Sequence, residues 1–93
     1  MEGRRWLVSG RVQGVGFRAF CVRAANSLGV EGWVRNLTDG RVEVVATGRP
    51  DDLGRLAEAL GRGPGYARVD HVEESTLDDS TDCGPGFDVR FGP

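Results

Sequence analysis

Lysine is absent from this chain of 93 residues; all 12 basic side chains are arginine. That excludes mechanisms that need a lysine amine, including the lysine of a Walker A loop. Cysteine is scarce as well. Cys21 and Cys83 are too few for a disulfide framework, and their spacing fits no zinc motif. With His71 as the single histidine, no structural metal site is expected. No apolar run approaches the length that spans a bilayer. The short apolar stretch after Arg4 and Arg5 is broken by Ser9 and Gly10, so it lacks the core of a signal peptide. The chain therefore reads as cytoplasmic. Strong charge of either sign is missing too: a net charge of −2 gives no general attraction to nucleic acid or to a membrane surface.

What remains is the composition of one small folded domain over residues 1–93, with 39% apolar and 28% charged residues. A chain of this size buries a modest core but can fold alone, and a monomer is the default expectation.

Periodicity sets out the elements. In residues 6–12, Val8, Gly10 and Val12 share one side of a strand, with Leu7, Ser9 and Arg11 on the other. Residues 13–16 form a glycine-rich turn. From Phe17 the spacing becomes helical: Phe17, Phe20, Cys21, Ala24 and Leu28 make one apolar stripe, and Gly29 is a natural stop. Cys21 on that stripe reads as a small core residue. Residues 30–37 read as a second strand, and residues 38–40 as a hairpin turn. In the third strand, at about residues 41–47, Val42, Val44 and Ala46 face inward while Arg41 and Glu43 face out. Pro50, Asp51 and Asp52 open a second helix with Leu53, Leu56, Ala57 and Leu60 on its apolar face. The run 61–65 ends it. Residues 67–77 read as a fourth strand, with a bulge near Asp70 and His71 because Val69 and Val72 do not alternate cleanly. Residues 78–86 read as an acidic mobile loop. Phe87, Val89 and Phe91 alternate with Asp88 and Arg90 in a final strand.

The order is β-α-β-β-α-β with a short edge strand. Two split β-α-β units place two helices on one face of an antiparallel sheet. The expected fold is therefore an α+β, ferredoxin-like sandwich whose other sheet face is partly wet.

Chemistry concentrates in residues 10–18, where a strand ends, Gly14 and Gly16 follow, and a helix begins. A helix start leaves backbone N–H groups without intrahelical partners. With glycines beside them, such groups form a concave nest of donors suited to a tetrahedral anion. Arg18 projects from the first turn, and its planar fork can hold two phosphate oxygens. A glycine turn with a solvated arginine fits the pattern equally well. A dinucleotide fingerprint does not: it needs a parallel unit and a larger sheet. Asn36 ends an otherwise apolar strand face, where an amide should have a hydrogen-bonding task; a turn-forming role at the start of the hairpin is the alternative.

Residues 8–18, VSGRVQGVGFR, resemble the first signature of the acylphosphatase family throughout their length. Residues 32–42, GWVRNLTDGRV, continuing to Gly48, resemble the second. The resemblance extends through Gly63 and Pro64, residues 67–69 and residues 87–91, and departs at the acidic 78–86 loop and at the last two residues. It implies an enzyme that hydrolyses the carboxyl-phosphate bond of small acyl phosphates. In that family the arginine closing the first signature, here Arg18, binds phosphate, and the asparagine of the second, here Asn36, orients the attacking water. The backbone amides of Gln13, Gly14, Val15, Gly16, Phe17 and Arg18 would cradle the phosphate oxygens, without metal or cofactor.

Rival readings are weaker. RNA-recognition domains share this element order but need aromatics in the third strand, and residues 40–46 have none. A metal-delivery domain would need paired cysteines in a loop. A domain that binds phosphate or carbamoyl phosphate for another purpose usually belongs to a longer chain. His71 lies on a strand away from both signatures and is expected to take no catalytic part, since a base must first reach its proton.

Overall fold

The computed structural model describes residues 2–78 and 83–91. The elements in chain order are β1 (Glu2–Arg11), α1 (Phe17–Leu28), β2 (Glu31–Asn36), β3 (Val42–Gly48), α2 (Pro50–Arg62), β4 (Arg68–Thr76) and β5 (Phe87–Val89). They form a ferredoxin-like α+β sandwich built on one five-stranded sheet of order β4-β1-β3-β2-β5.

The helices form where the apolar spacing and the punctuating residues agree. In α1, Phe17, Cys21 and Ala25 are buried, with Phe20, Ala24 and Leu28 half-buried beside them. The helix ends at Gly29, whose left-handed conformation lets its N–H reach the carbonyls of Ala25 and Asn26. In α2, Pro50 occupies the first turn with Asp51 and Asp52, and Leu53, Leu56 and Leu60 are fully buried. That helix runs through Gly61 to Arg62 and ends at Gly63, later than glycine punctuation alone suggests. A glycine in the last turn costs only about 1 kcal/mol against alanine, and the bond from the Gly63 N–H to the Ala59 carbonyl closes the turn.

The core lies between the helices and one sheet face. Trp6, Val8, Val34, Val42, Val44 and Ala46 from the sheet meet Phe17, Cys21, Leu53, Leu56 and Leu60 from the helices. Each fully buried large side chain contributes about 1.5–3 kcal/mol from apolar burial. The Trp6 indole N–H, which would otherwise be lost to that core, donates to Glu74 Oε1 at 2.7 Å.

Four strands are antiparallel neighbours, as expected; β5 joins β2 in parallel. The cause is topological. Arg4 faces Thr76, so β4 ends where β1 begins. A chain returning from that end runs in the direction of β1, which is also that of β2. The bulge is where the broken alternation places it: Ser9 faces His71 and Gly10 faces Val69, leaving Asp70 as the extra residue.

Two expectations are corrected, the first on the second sheet face. Glu43 does not face solvent; it is 3% exposed. It lies on the central strand β3, and the side chains of Arg5 and Arg35 close over it from the flanking strands, their Nε atoms donating at 2.5 and 2.6 Å. Trp33 carries the guanidiniums of Arg35 and Arg90 on its ring, at 5.3 and 4.6 Å from the centroid. Cys83 packs with Trp33, Val45 and Leu77 into a small second cluster. Phe91 is the other correction. β5 stops at Val89, so Phe91 lies beyond the final strand in which the alternation placed it, and it is 82% exposed. Four residues of the acidic 78–86 loop, 79–82, lie outside the described residues.

Candidate active site

Strand direction gathers the sequence-predicted site residues at one end of the sheet. Val8 on β1 and Asn36 on β2 both face Val42 of β3, so the three strands share a row there. β1 and β2 are each antiparallel to β3 and therefore run in the same direction, with the 12–16 loop leaving β1 just past this row. β5 is parallel to β2, and the Arg90 N–H donates to the Val34 carbonyl, so Phe91 emerges at the same end.

The loop is built for its conformation by glycine. Gly14 and Gly16 have φ values of 75° and 80°, a region that side-chain-bearing residues seldom adopt. Gly16 is the residue before α1. No side chain caps this helix, and no acidic residue stands in its first turn. Among the described residues, none of the N–H groups from Gly14 to Ala19 donates to a protein acceptor in good geometry; the first one paired is that of Phe20, to the Gly16 carbonyl at 3.0 Å. The start of α1 therefore presents free donors and the positive end of the helix dipole, with no side-chain cap and no first-turn acid to neutralise either.

Arg18 is the second residue of α1 and is half-buried. Its guanidinium carbon stands 5.4 Å from the centroid of the Phe91 ring. Asn36 is also half-buried, yet its Oδ1 is fully buried and without a hydrogen-bond partner among the described residues. An orphaned buried acceptor costs about 1–3 kcal/mol and calls for a donor that the described residues do not supply.

Sequence reasoning assigned Gln13 only a backbone amide. Its side chain does more: Nε2 donates to the Leu37 carbonyl at 2.8 Å and to the Arg41 carbonyl at 2.9 Å. The residue type was the available signal, because a primary amide within a glycine-rich loop brings two donors that the loop itself does not need. The hairpin beyond Asn36 is held by Asp39, which accepts from the Arg41 N–H at 3.0 Å and from Arg41 Nε at 2.8 Å. Those hydrogen bonds from Arg41, the backbone N–H first, keep the Asp39 carboxyl below its ordinary pKa.

Beside the loop lies an open depression of about 460 Å³ lined by Arg11, Gly14, Val15 and the exposed Tyr66. His71 is exposed on the edge strand β4, opposite Ser9. Cys21 is sealed in the core, where burial pushes its thiol up to about 12. No helix is long and apolar enough to cross a membrane, among the described residues.

Known proteins agree with this architecture. The chain is 58% identical over 73 residues to an acylphosphatase of Solibacter usitatus, covering 78% of this chain and 76% of that one. It is 47% identical over 94 residues to an acylphosphatase of Nitratidesulfovibrio vulgaris, covering 98% and 92%. The crystal structure of acylphosphatase from Bacillus subtilis superposes with a TM-score of 0.91 at 36% identity, over 97% of this chain and 99% of that one. The profile of the Acylphosphatase family matches residues 4–89, nearly the whole length; on sequence and fold alike, the chain belongs to the acylphosphatase family.

Proposed function

We propose that this protein is a metal-independent, cytoplasmic acylphosphatase. It hydrolyses the carboxyl-phosphate bond of small acyl phosphates to a carboxylate and inorganic phosphate. The observation that carries this reading is the uncapped, acid-free start of α1, with unpaired amides and Arg18, at the end of the sheet where Asn36 holds an unpartnered buried oxygen.

The chemistry asks little of a protein. The leaving group is a carboxylate, stable as an anion, so it needs no strong general acid. In phosphoryl transfer the negative charge spreads over the three equatorial oxygens, and catalysis is mostly positioning and electrostatic stabilisation. The amides of residues 13–18 and the helix dipole receive those oxygens. Arg18 binds two of them through its planar fork and stays charged at any working pH. Asn36 Oδ1 accepts a hydrogen bond from the attacking water and holds its oxygen in line with the leaving group. The water oxygen bonds to phosphorus, and the phosphorus–carboxylate bond breaks with its electron pair. The water's proton leaves to the phosphate or to solvent, because an amide cannot take it. The depression beside Gly14 and Val15 has room for a small acyl group next to a phosphate in the loop.

The test is hydrolysis of benzoyl phosphate by the purified protein in excess EDTA, alongside Arg18→Ala. Turnover in the wild type, reduced at least about 10²–10³-fold in the variant, is the expected result. A folded wild type that binds phosphate without turnover would show a binding module instead.

A further inference from the structure

The hydrogen-bond ladder tying β1 to β3 ends at Val8 and Val42, and the ladder from β2 to β3 ends at Asn36 and Val42. Beyond that row no strand pairing joins the loop to the hairpin. Among the described residues, the hydrogen bonds that rejoin them are the two from the Gln13 side chain. Their acceptors are at the neck of the hairpin. The Arg41 carbonyl already accepts from the Leu37 N–H at 2.8 Å, and the Leu37 carbonyl from the Gly40 N–H at 3.2 Å. A carbonyl has two lone pairs, so the Gln13 amide takes the second on each. Leu37 directly follows Asn36. Val12, directly before Gln13, is buried at 1% exposure and anchors the loop's other side.

We infer that Gln13 is a positioning residue that sets the separation between the phosphate loop and the Asn36 amide. This rests on the hydrolase reading above. The chemistry selects the side chain. Two acceptors face it, and the glutamine amide brings two donors on one nitrogen. Glutamate of the same length brings none when ionised and sets a negative charge against two carbonyl dipoles. Methionine keeps the length and loses the bonds. In-line attack depends on the distance from water to phosphorus, and a shift of about 1 Å can cost roughly 10²-fold in rate. Phosphate binding depends on amides and on Arg18 within one contiguous segment, so loss of the clasp spares it.

The experiment compares wild type, Gln13→Met and Gln13→Glu by circular dichroism, by titration with inorganic phosphate, and by kcat and KM for benzoyl phosphate. In Gln13→Met, kcat falls about 10- to 100-fold, with the phosphate dissociation constant within a few-fold of wild type. Gln13→Glu is equally slow near neutrality. Its kcat, taken as a ratio to wild type at each pH, recovers as pH falls toward about 5. As the carboxyl takes up a proton it donates one bond again. Gln13→Met shows no such recovery. An active wild type with an equally active Gln13→Met overturns the inference alone. So does a slow Gln13→Glu whose ratio stays flat with pH, because the loss then comes from packing. A wild type without turnover overturns the hydrolase reading and this one with it.

Discussion

The guanidinium of Arg18 stands 5.4 Å from the centre of the Phe91 ring, and that ring is itself 82% exposed. A large aromatic left in water does little for stability. Its position against a charged fork points to orientation: the ring limits the rotamers of Arg18 before any anion arrives. A cation–π contact at an exposed site contributes about 0.5–1 kcal/mol. Phe91→Ala should therefore lower kcat/KM for benzoyl phosphate about 2- to 5-fold with no loss of melting temperature, and Phe91→Tyr should restore it. Steady-state kinetics on the two variants check this.

Asn36 separates function from stability. Its Oδ1 is buried without a partner, so the folded state carries the cost of that oxygen. On the proposed mechanism, Asn36→Ala removes both the cost and the hold on water. It should lower kcat by about 10²–10³ with little change in KM. The same variant should unfold at equal or higher denaturant concentration than wild type, a gain of up to about 1 kcal/mol. Urea titration beside kinetics reads both.

Glu43 is the pH-sensitive structural group. Burial alone would raise its pKa, but the hydrogen bonds and charges of Arg5 and Arg35 outweigh burial and hold it below the ordinary 4.5. A pKa lowered by folding means stability that is present above about 4.5 and lost as pH falls through the folded value. Glu43→Gln should destabilise the protein by about 2 kcal/mol at neutral pH, because two half-buried arginines lose their counter-charge. For a domain of this size that is a fall of roughly 8–16 °C in Tm. The gap from wild type should close as pH drops below the folded value, measured by thermal denaturation across the acid range.

Cys21 should be inert in the native state. Its thiol is buried and held near 12, so almost no thiolate exists at neutral pH. Iodoacetamide should leave Cys21 unmodified in folded protein and alkylate it after unfolding, as peptide mass spectrometry would show.

Local order was readable because its causes lie within a few residues. The 17–28 helix follows from one apolar stripe and a glycine stop, and α2 from Pro50, its two aspartates and three leucines at helical spacing. The Asp70 bulge showed in the offset of two valines. Even the unpaired donors before α1 have a local cause, since free amides at a helix start need only a glycine turn and no cap.

What alternation could not tell was which strands would flank which. Glu43 alternates as an outward residue, yet it is buried because β3 became the central strand, between the strands that bear Arg5 and Arg35. Phe91 continues the pattern of Phe87 and Val89 but leaves the strand and meets Arg18 instead.

The sequence by itself determined the elements, the candidate site residues proposed here and the family resemblance, because propensity, capping and periodicity act between near neighbours. Only the tertiary structure decided how those parts face each other. The Gln13 clasp spans 24 residues to Leu37 and 28 to Arg41. Such a bond exists only after strand order and direction have brought β1 and β2 side by side across β3, and no spacing along the chain encodes that meeting.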